Sequence, residues 1–224
     1  MTKIVLGCVL LAAACEAGSL LPASYDLRNG ETGSFHYWDD TYTGSGNKTA
    51  DGALLTGGLG DLTDGVLGNF PPGGFNAAGA VPWVGWLSFN PVITFNFAGP
   101  FQFTSVGFFS ANPHTGGVAL WGSVTLTFSD NGVNFGNPVV YTTSASEQLN
   151  ITSRFVDVPV NQSARYIRAA FTDSPDTSCG GSPGSGCPWV FISEARFDAS
   201  VPEPATGWLC ISTAILLVLS RKRI

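Results

Sequence analysis

Short apolar runs separated by glycine, proline, aspartate and asparagine fill the middle of the chain. In residues 123–128, Val124, Leu126 and Phe128 alternate with serine or threonine, which is the period of two expected of a half-buried strand. The same pattern predicts strands at 92–97, 105–109, 123–128, 139–142, 155–160, 165–172 and 189–197. Helical periodicity is nearly absent. Many short strands without helices predict an all-β domain built as an antiparallel β-sandwich.

Two stretches lie outside this alternation. Asn131-Gly132 suits a tight turn with positive φ, so residues 130–134 are predicted as the tip of a hairpin. Residues 43–82 hold much glycine and little periodicity, and we predict long loops there, at one end of the sandwich. Because binding residues concentrate on loops, we expect the ligand site at that end.

The N-terminus has the pattern of a secretory signal peptide. Lys3 precedes an apolar run over 4–14, and small residues follow before the chain turns polar. The run is short for a membrane span, which takes about 20 apolar residues. Residues 1–17 are therefore predicted to be a signal peptide. Two ways of processing remain open, namely cleavage after Ala17 and lipid attachment at Cys15.

The C-terminus carries three features in a fixed order. The tether Pro202-Glu203-Pro204 cannot continue a strand or a helix, so it is predicted to be extended and exposed. An apolar segment at 207–220 follows, which is short for a spanning helix. Three basic residues then close the chain, and such residues favour the cytoplasmic side of a membrane.

In this order, the three features resemble the PEP-CTERM sorting signal of Gram-negative bacteria. The resemblance implies that residues 201–224 are a sorting signal with a transmembrane helix at 207–220. It also implies that a membrane peptidase, the exosortase, cuts near the motif and passes the protein outward. An ordinary C-terminal anchor that is never cut is the alternative. We therefore expect export, membrane anchoring through the C-terminus, and a final place on the cell surface or in the extracellular matrix.

Between the two signals lie residues 18–200, enough for one domain with a sizeable core. This stretch has six lysines and arginines against fourteen acidic residues, a net charge of about −8. Nucleic-acid binding requires basic patches, so the composition argues against it. An acidic, lysine-poor surface is compatible with neutral glycans and with divalent cations.

Two cysteines fall within the folded part. Cys179 and Cys187 are separated by seven residues rich in glycine. In an oxidising compartment such a pair is expected to form a disulfide that closes a small loop. A metal site is the alternative, and the wide spacing without a nearby histidine disfavours it.

Six segments of the chain form a recognisable series, namely 62–65, 83–86, 93–97, 129–135, 164–168 and 189–194. Together they resemble the discoidin-like, galactose-binding-like domains, which include many carbohydrate-binding modules. The resemblance spans roughly 60–198. It implies a jelly-roll sandwich of about eight strands that binds glycans, lipids or proteins and performs no chemistry.

The resemblance also implies a structural calcium ion between the long N-terminal loop and the last strand. Asp64 and Glu194 stand at the matching positions, and Asp61 is close enough to add a third carboxylate. Calcium prefers oxygen ligands of this kind. The sequence departs from the family at 66–69, where apolar residues and glycine largely replace polar ligands. The alternative is a turn aspartate and a Glu194 paired with an arginine such as Arg168.

Two tryptophans are candidates for the ligand site. Trp38 is flanked by histidine, tyrosine and two aspartates, and Trp83 follows a proline at the end of the 70–82 loop. An aromatic ring beside carboxylates suits a hydroxyl-rich ligand. Trp86 and Trp189 begin strands and are expected in the core.

No pattern in the sequence supports catalysis. Residues 180–184 match the form of a nucleophile elbow, but that elbow needs a strand before it and a helix after it. We therefore predict an exported, non-enzymatic protein that binds glycan or exopolysaccharide. An adhesin that binds protein or lipid partners through the same loop end is the alternative.

Overall fold

The structure is a computed structural model that describes residues 17–30, 35–68, 82–177, 179 and 186–200. The predicted signal peptide, apart from Ala17, lies outside the described residues, as does the predicted sorting signal 201–224 with its helix. Within the described ranges, no helix is both long and apolar enough to cross a membrane.

Nine strands and one short helix form along the described chain. In order they are β1 (Ala17–Leu20), β2 (Ser24–Arg28), β3 (Leu54–Gly58), β4 (Val84–Leu87), β5 (Val92–Ser110), β6 (Ser123–Ser129), β7 (Val139–Thr142), α1 (Ala145–Leu149), β8 (Arg154–Thr172) and β9 (Trp189–Ser200). Neighbouring strands pair antiparallel throughout. The predicted all-β class is confirmed.

The long strands β5 and β8, each of 19 residues, serve two layers of sheet. In the first layer, residues 92–96 of β5 lie between β2 and residues 166–170 of β8, with β3 outside β2 and with β6 and β7 outside β8. In the second layer, residues 102–110 of β5 lie between β9 and residues 154–163 of β8. β5 therefore exchanges β2 for β9 along its length while it stays paired with β8.

Aromatic side chains join the two layers. Phe95 and Phe97 of β5 approach Phe197 of β9, with ring centroids 4.7 and 5.0 Å apart. Phe108 in the second-layer half of β5 meets Phe171 of β8 edge to face at 4.8 Å. All five rings are buried, and such pairs add to the gain from burying apolar area. The predicted β-sandwich is confirmed.

The strand predictions were correct in place but too short. The predicted strands 92–97 and 105–109 are both parts of β5, and 155–160 and 165–172 are both parts of β8. In β5 the residues between the two predictions include glycine and proline, which interrupt the alternation, and the register shifts there. Pairing with β8 nevertheless continues on both sides of the interruption, so a single strand results.

Five elements were not predicted. These are β1, β2, β3, β4 and α1. The prediction that 43–82 consists of loops is wrong in part, because β3 lies within it and Ser45 bridges to Thr56. β3 contains two glycines and only one buried apolar side chain, so its sequence alternation is weak. α1 begins with a capping box between Ser144 and Glu147, a signal that is visible in the sequence.

Local patterns were interpreted correctly where the contacts are also local. Val124, Leu126 and Phe128 are buried, as their alternation predicted. Gly132 has a φ of 73° in the connection between β6 and β7. The side-chain Oδ1 of Asn131 accepts hydrogen bonds from the backbone N–H groups of Val133 and Asn134, at 2.9 Å each. This asparagine turn confirms the predicted hairpin tip.

Three separate segments cover the outer edge of β9. β1 pairs with its end at 197–200, and β4 pairs with its beginning at 189–192. Between them, the carbonyl of Leu62 accepts a hydrogen bond from the N–H of Ala195 at 2.8 Å. A covered edge cannot recruit a further strand. This arrangement also brings the loop after β3 against the last strand.

Candidate functional site

An aromatic crevice opens at the end of the sandwich where β9 begins. Phe35, Tyr37 and Trp189 line it together with Gly116, around a volume of about 140 Å³. The ring of Trp189 meets Phe35 at 6.1 Å and Tyr37 at 5.7 Å, both edge to face. Tyr37 is buried, whereas Phe35 is 40 % exposed, so the crevice has an apolar floor and an accessible wall.

The four residues 35–38 alternate in direction. Phe35 and Tyr37 face the crevice, whereas the rings of His36 and Trp38 pack against each other on the other side at 4.3 Å. The Tyr37 carbonyl accepts a hydrogen bond from the N–H of Gly85 in β4 at 3.0 Å, which aligns this segment with the sheet. Both faces of one short segment therefore present aromatic rings.

Trp38 occupies a position that suits a binding role. Its side chain is half-buried, and its indole N–H donates to a carboxylate oxygen of Asp51 at 2.7 Å. The hydrogen bond holds the ring in one orientation, with the exposed His36 beside it. The structure thus leaves Trp38 partly accessible, beside two polar groups.

Trp83, the second predicted ligand residue, is not at the surface. Its side chain is fully buried, and its ring packs against Phe109 at 5.9 Å and Phe191 at 6.3 Å. Gly68 lies so close that a Cβ there would stand 2.0 Å from the indole. The prediction is corrected: Trp83 is part of the core beneath the crevice, because the loop after β3 covers it. Trp86 and Trp189 are buried, as expected.

The cysteine loop adjoins the crevice. Cys179 and Cys187 form a disulfide, with their Cα atoms 5.6 Å apart. The carbonyl of Cys179 accepts a hydrogen bond from the N–H of Gly117 at 3.1 Å, and Gly117 follows the Gly116 that lines the crevice. Most of the residues between the cysteines lie outside the described part of the chain.

Buried carboxyl groups lie where the loops that flank β3 meet. Asp39 accepts hydrogen bonds from the Tyr25 hydroxyl at 2.5 Å and from the backbone N–H of Asp61 at 2.9 Å. The Asn29 side chain accepts the N–H of Asp39 at 2.8 Å. The Oδ1 of Asp61 accepts a hydrogen bond from the Thr41 hydroxyl, whereas its buried Oδ2 has no hydrogen-bond partner among the described residues.

Burial changes the ionisation of this cluster. Desolvation raises the pKa of Asp39 to about 6, although the bonds from Tyr25 and from the N–H of Asp61 oppose the change. Desolvation also raises the pKa of Asp61 to about 7, against the effect of the Thr41 hydroxyl and with added repulsion from Asp39. The pKa of Tyr25 rises for the same two reasons, burial first and the Asp39 charge second. The carboxyl groups of Asp39 and Asp61 therefore keep their protons to a higher pH than their ordinary pKa values allow.

Glu194, the predicted calcium ligand on the last strand, lies where the loop after β3 contacts β9. Its Oε2 accepts the backbone N–H of Gly65 at 2.9 Å, and burial raises its pKa to about 7. One residue away, Ser193 accepts the N–H of Gly68 at 3.0 Å. The alternative partner, Arg168, lies over the ring of Phe135 instead, 3.8 Å from its centroid. Direct hydrogen bonds thus join the loop to the last strand.

The donor set for a calcium ion is incomplete as far as side chains are concerned. Asp64 is exposed, and one of its oxygens accepts the N–H of Val66 at 2.8 Å in a local turn. Among the described residues, no three acidic, histidine or cysteine side chains converge as a metal site. The unpartnered Oδ2 of Asp61 is an observation that fits a bound cation. Asp61, Asp64 and Glu194 do not by themselves form a metal site in this arrangement, so an ion there would also need backbone carbonyls or water as ligands.

The two-layer antiparallel sheet, with an aromatic crevice at its loop end and the last strand tied to the loop after β3, defines a discoidin-like, galactose-binding-like domain. The chain belongs to the family described as the DS-like domain of discoidin domain-containing receptors 1 and 2, whose sequence model matches residues 22–177.

A curated relative supports the family assignment. The chain is 26 % identical over 181 residues to discoidin domain-containing receptor tyrosine kinase B of Caenorhabditis elegans. The match covers 78 % of this chain and 20 % of the receptor, so the chain spans about a fifth of that protein.

Solved structures of carbohydrate-binding modules are similar at a lower level. A family 32 module of a Clostridium perfringens GH89 protein is 14 % identical, with a TM-score of 0.34 over 61 % of this chain and 81 % of the module. The family 32 module of NanJ from C. perfringens, solved with galactose, is 11 % identical to this chain. Its TM-score is 0.33 over 49 % of this chain and 67 % of the module.

Three site residues were not identified from the sequence. Phe35, Tyr37 and the buried Asp39 lie within the same short stretch as Trp38. The run of four aromatic rings at 35–38 was a visible signal, since alternation places two on each side of an extended chain. The burial of Asp39 left no comparable signal, because its partner Tyr25 lies fourteen residues away.

Proposed function

We propose that the protein is an exported, non-enzymatic surface or matrix protein that binds a glycan or exopolysaccharide through the loop end of its discoidin-like domain. The observation that carries the proposal is the pair of aromatic faces at 35–38, one lining the crevice with Trp189 and one presenting Trp38 beside Asp51. A ring that stacks and a carboxylate that accepts hydrogen bonds together suit the apolar face and the hydroxyl groups of a sugar.

The size of the crevice bears on the ligand. Pockets for whole small molecules have about 300–1,000 Å³, whereas this crevice has about 140 Å³. It therefore has room for one group of a longer ligand, whose remainder lies outside the crevice. Trp38, on the other side of residues 35–38, is a separate contact for such a ligand. A polysaccharide chain meets this condition, because successive sugar rings occupy neighbouring positions along a surface.

An adhesin is the second candidate. Leu149, the last residue of α1, and Ile151, between α1 and β8, are 75 % and 64 % exposed. Two exposed apolar side chains so close along the chain favour contact with a protein or a lipid rather than with a sugar. Competition by soluble saccharide separates the two candidates, since it displaces the protein from its partner only under the first.

Sorting and anchoring belong to the same proposal. The support is the order of motif, apolar segment and basic end over 201–224. The protein is held in the membrane through this segment before processing, and exosortase cleavage near Pro202-Glu203-Pro204 then moves it outward. The net negative charge and the scarcity of lysine support a partner other than nucleic acid.

A structural calcium ion is also proposed, held by Asp61, Asp64 and Glu194. The support is the unpartnered oxygen of Asp61 and the raised pKa of Asp61 and Glu194, because a divalent cation offsets the cost of these buried charges. In this position the ion joins the loop after β3 to β9 and stabilises the loop end that presents the crevice.

Binding to a glycan array tests the function. Variants Phe35→Ala and Trp38→Ala should each weaken binding about tenfold, since the stacking of an aromatic ring is worth on the order of 1 kcal/mol beyond the apolar area it buries. Val133→Ala removes a side chain that is 78 % exposed at the hairpin tip and serves as the matched control. If the two aromatic variants bind glycan as the wild type does, the loop end is not the glycan site.

A further inference from the structure

A second, polar groove crosses the outer face of the first layer, away from the aromatic crevice. Ser24 on β2, Asn96 on β5 and Tyr166 on β8 are register partners in one row across the strands. Asp26 and Thr94 are partners in the next row. These side chains share the face opposite to the core. The alternating neighbours Tyr25, Phe95 and Ile167 are all buried.

Two connections raise the sides of this groove. On one side, Ser45 and Thr56 exchange backbone hydrogen bonds of 2.9 Å, which places the segment before β3 alongside β3 at the edge of the groove. On the other side, Gly132 at the hairpin tip lies against the ring of Tyr166. The space between them has a volume of about 490 Å³. This lies within the range of about 300–1,000 Å³ found for small-molecule sites.

Polar atoms in the groove lack partners. Asp26 accepts the N–H of Gly57 on Oδ1 at 2.7 Å, and its Oδ2 has no hydrogen bond in the described part of the chain. The buried Oδ1 of Asn96 also has no partner there, although its amide nitrogen approaches the Ser24 hydroxyl at 3.5 Å. The Asp26 residue is exposed, so its Oδ2 is open to a ligand, whereas the Asn96 Oδ1 is shielded beneath the groove. The accessible carboxylate oxygen accepts hydrogen bonds, so a ligand that contacts it must donate them.

The lining excludes other classes of ligand. Among the described residues of the lining, Asp26 is the only charged one, and the other side chains are serine, threonine, asparagine and tyrosine. An anion would face this carboxylate, and the neighbouring cations are engaged elsewhere. Arg168, in the same row as Thr94, lies over the ring of Phe135. Arg165 lies over the ring of Tyr166 and donates to the Phe97 carbonyl. A protein partner would need apolar area that the groove does not offer.

We propose that this groove is a second saccharide-binding site, which takes one or two rings of a neutral sugar. The exposed carboxylate of Asp26 accepts ligand hydroxyl protons, and Tyr166 contributes its hydroxyl and the part of its ring that Gly132 and Arg165 leave open. The ligand class follows from the proposed function, but the site does not depend on the loop end. Two sites on different faces would let one molecule bridge two polysaccharide chains, which raises retention in a matrix through avidity.

Amide chemical shifts of the purified protein test the groove directly. The probes are the methyl glycosides of galactose, glucose and mannose, each titrated to millimolar concentration. We expect shifts at the amides of 24–26, 94–96 and 166 with at least one probe. Asp26→Asn keeps the acceptor for Gly57 and should weaken the groove affinity about tenfold, which corresponds to the loss of one hydrogen bond to a charged group. Tyr166→Phe tests the hydroxyl, and Tyr166→Ala tests the ring.

Two further variants separate this site from the loop end. Asp173→Asn removes one exposed acid outside the groove and should leave all shifts as in the wild type. Trp38→Ala should remove shifts at the loop end and keep those in the groove. Shifts confined to the loop end would overturn the groove and retain the proposed function. Shifts confined to the groove would support it and contradict the loop-end site. The absence of shifts with all three probes would overturn both.

Discussion

Replacing Asp61 by asparagine probes the most unusual electrostatic feature of the fold. The side chain is 3 % exposed, accepts the Thr41 hydroxyl on one oxygen, and leaves the other oxygen unpartnered within the described chain. Asparagine keeps the acceptor for Thr41 and removes the charge. The backbone N–H that donates to Asp39 is unaffected.

The size of the effect follows from the pKa. Burial raises the pKa of Asp61 from 3.8 to about 7. A pKa raised on folding means that this group stabilises the fold below pH ~4, and that the stabilisation is lost as the pH rises to about 7. At about 1.4 kcal/mol for each unit of pKa, the ionised carboxylate costs roughly 4 kcal/mol at pH ~8. The unpaired asparagine N–H costs about 1–3 kcal/mol at every pH.

The test is therefore the pH dependence of the difference between the two proteins. Urea unfolding in the presence of a chelator should show that Asp61→Asn gains about 4 kcal/mol relative to wild type between pH ~4 and pH ~8. Asp130→Asn, which changes an exposed acid at the hairpin turn, is the control and should show no such change. A constant difference between Asp61→Asn and wild type across this range would refute the desolvated carboxyl.

Three other predictions concern the ion, the cysteines and the C-terminus. Calcium should raise the melting temperature, by an amount equivalent to about 2.7 kcal/mol at a hundredfold excess over Kd. Magnesium should raise it much less. The variants Asp64→Ala and Glu194→Ala should each fold but lose the response to calcium. Equal melting in calcium and in chelator would contradict the site. Thiol labelling of the unreduced protein should leave Cys179 and Cys187 unmodified, and reduction should cost about 2–3 kcal/mol. Label located at both Cys179 and Cys187 before reduction would rule out the bridge. Mass spectrometry of the surface fraction should find a form cut near 202–204, and recovery of the intact basic end as the main species would refute cleavage.

Short-range patterns in the sequence were sufficient for the fold class. The alternation of Val124, Leu126 and Phe128 depends only on the pleat of one strand, and the turn at Asn131-Gly132 depends only on a few dihedral angles. Such features repeat wherever the same residues occur in the same order. For this reason the strands from β5 onwards and the hairpin tip were predicted from the chain alone.

Contacts between distant residues had to come from the tertiary structure. Glu194 meets the N–H of Gly65 across a separation of 129 residues, and no local pattern encodes that pairing. Trp83 was expected at the surface because it follows a loop, yet that loop folds back over it. The raised pKa of Asp61 likewise arises from burial between segments brought together by β3. Burial depends on the whole arrangement of layers, whereas alternation depends on neighbouring residues, and this difference separates what the sequence predicted from what the folded domain revealed.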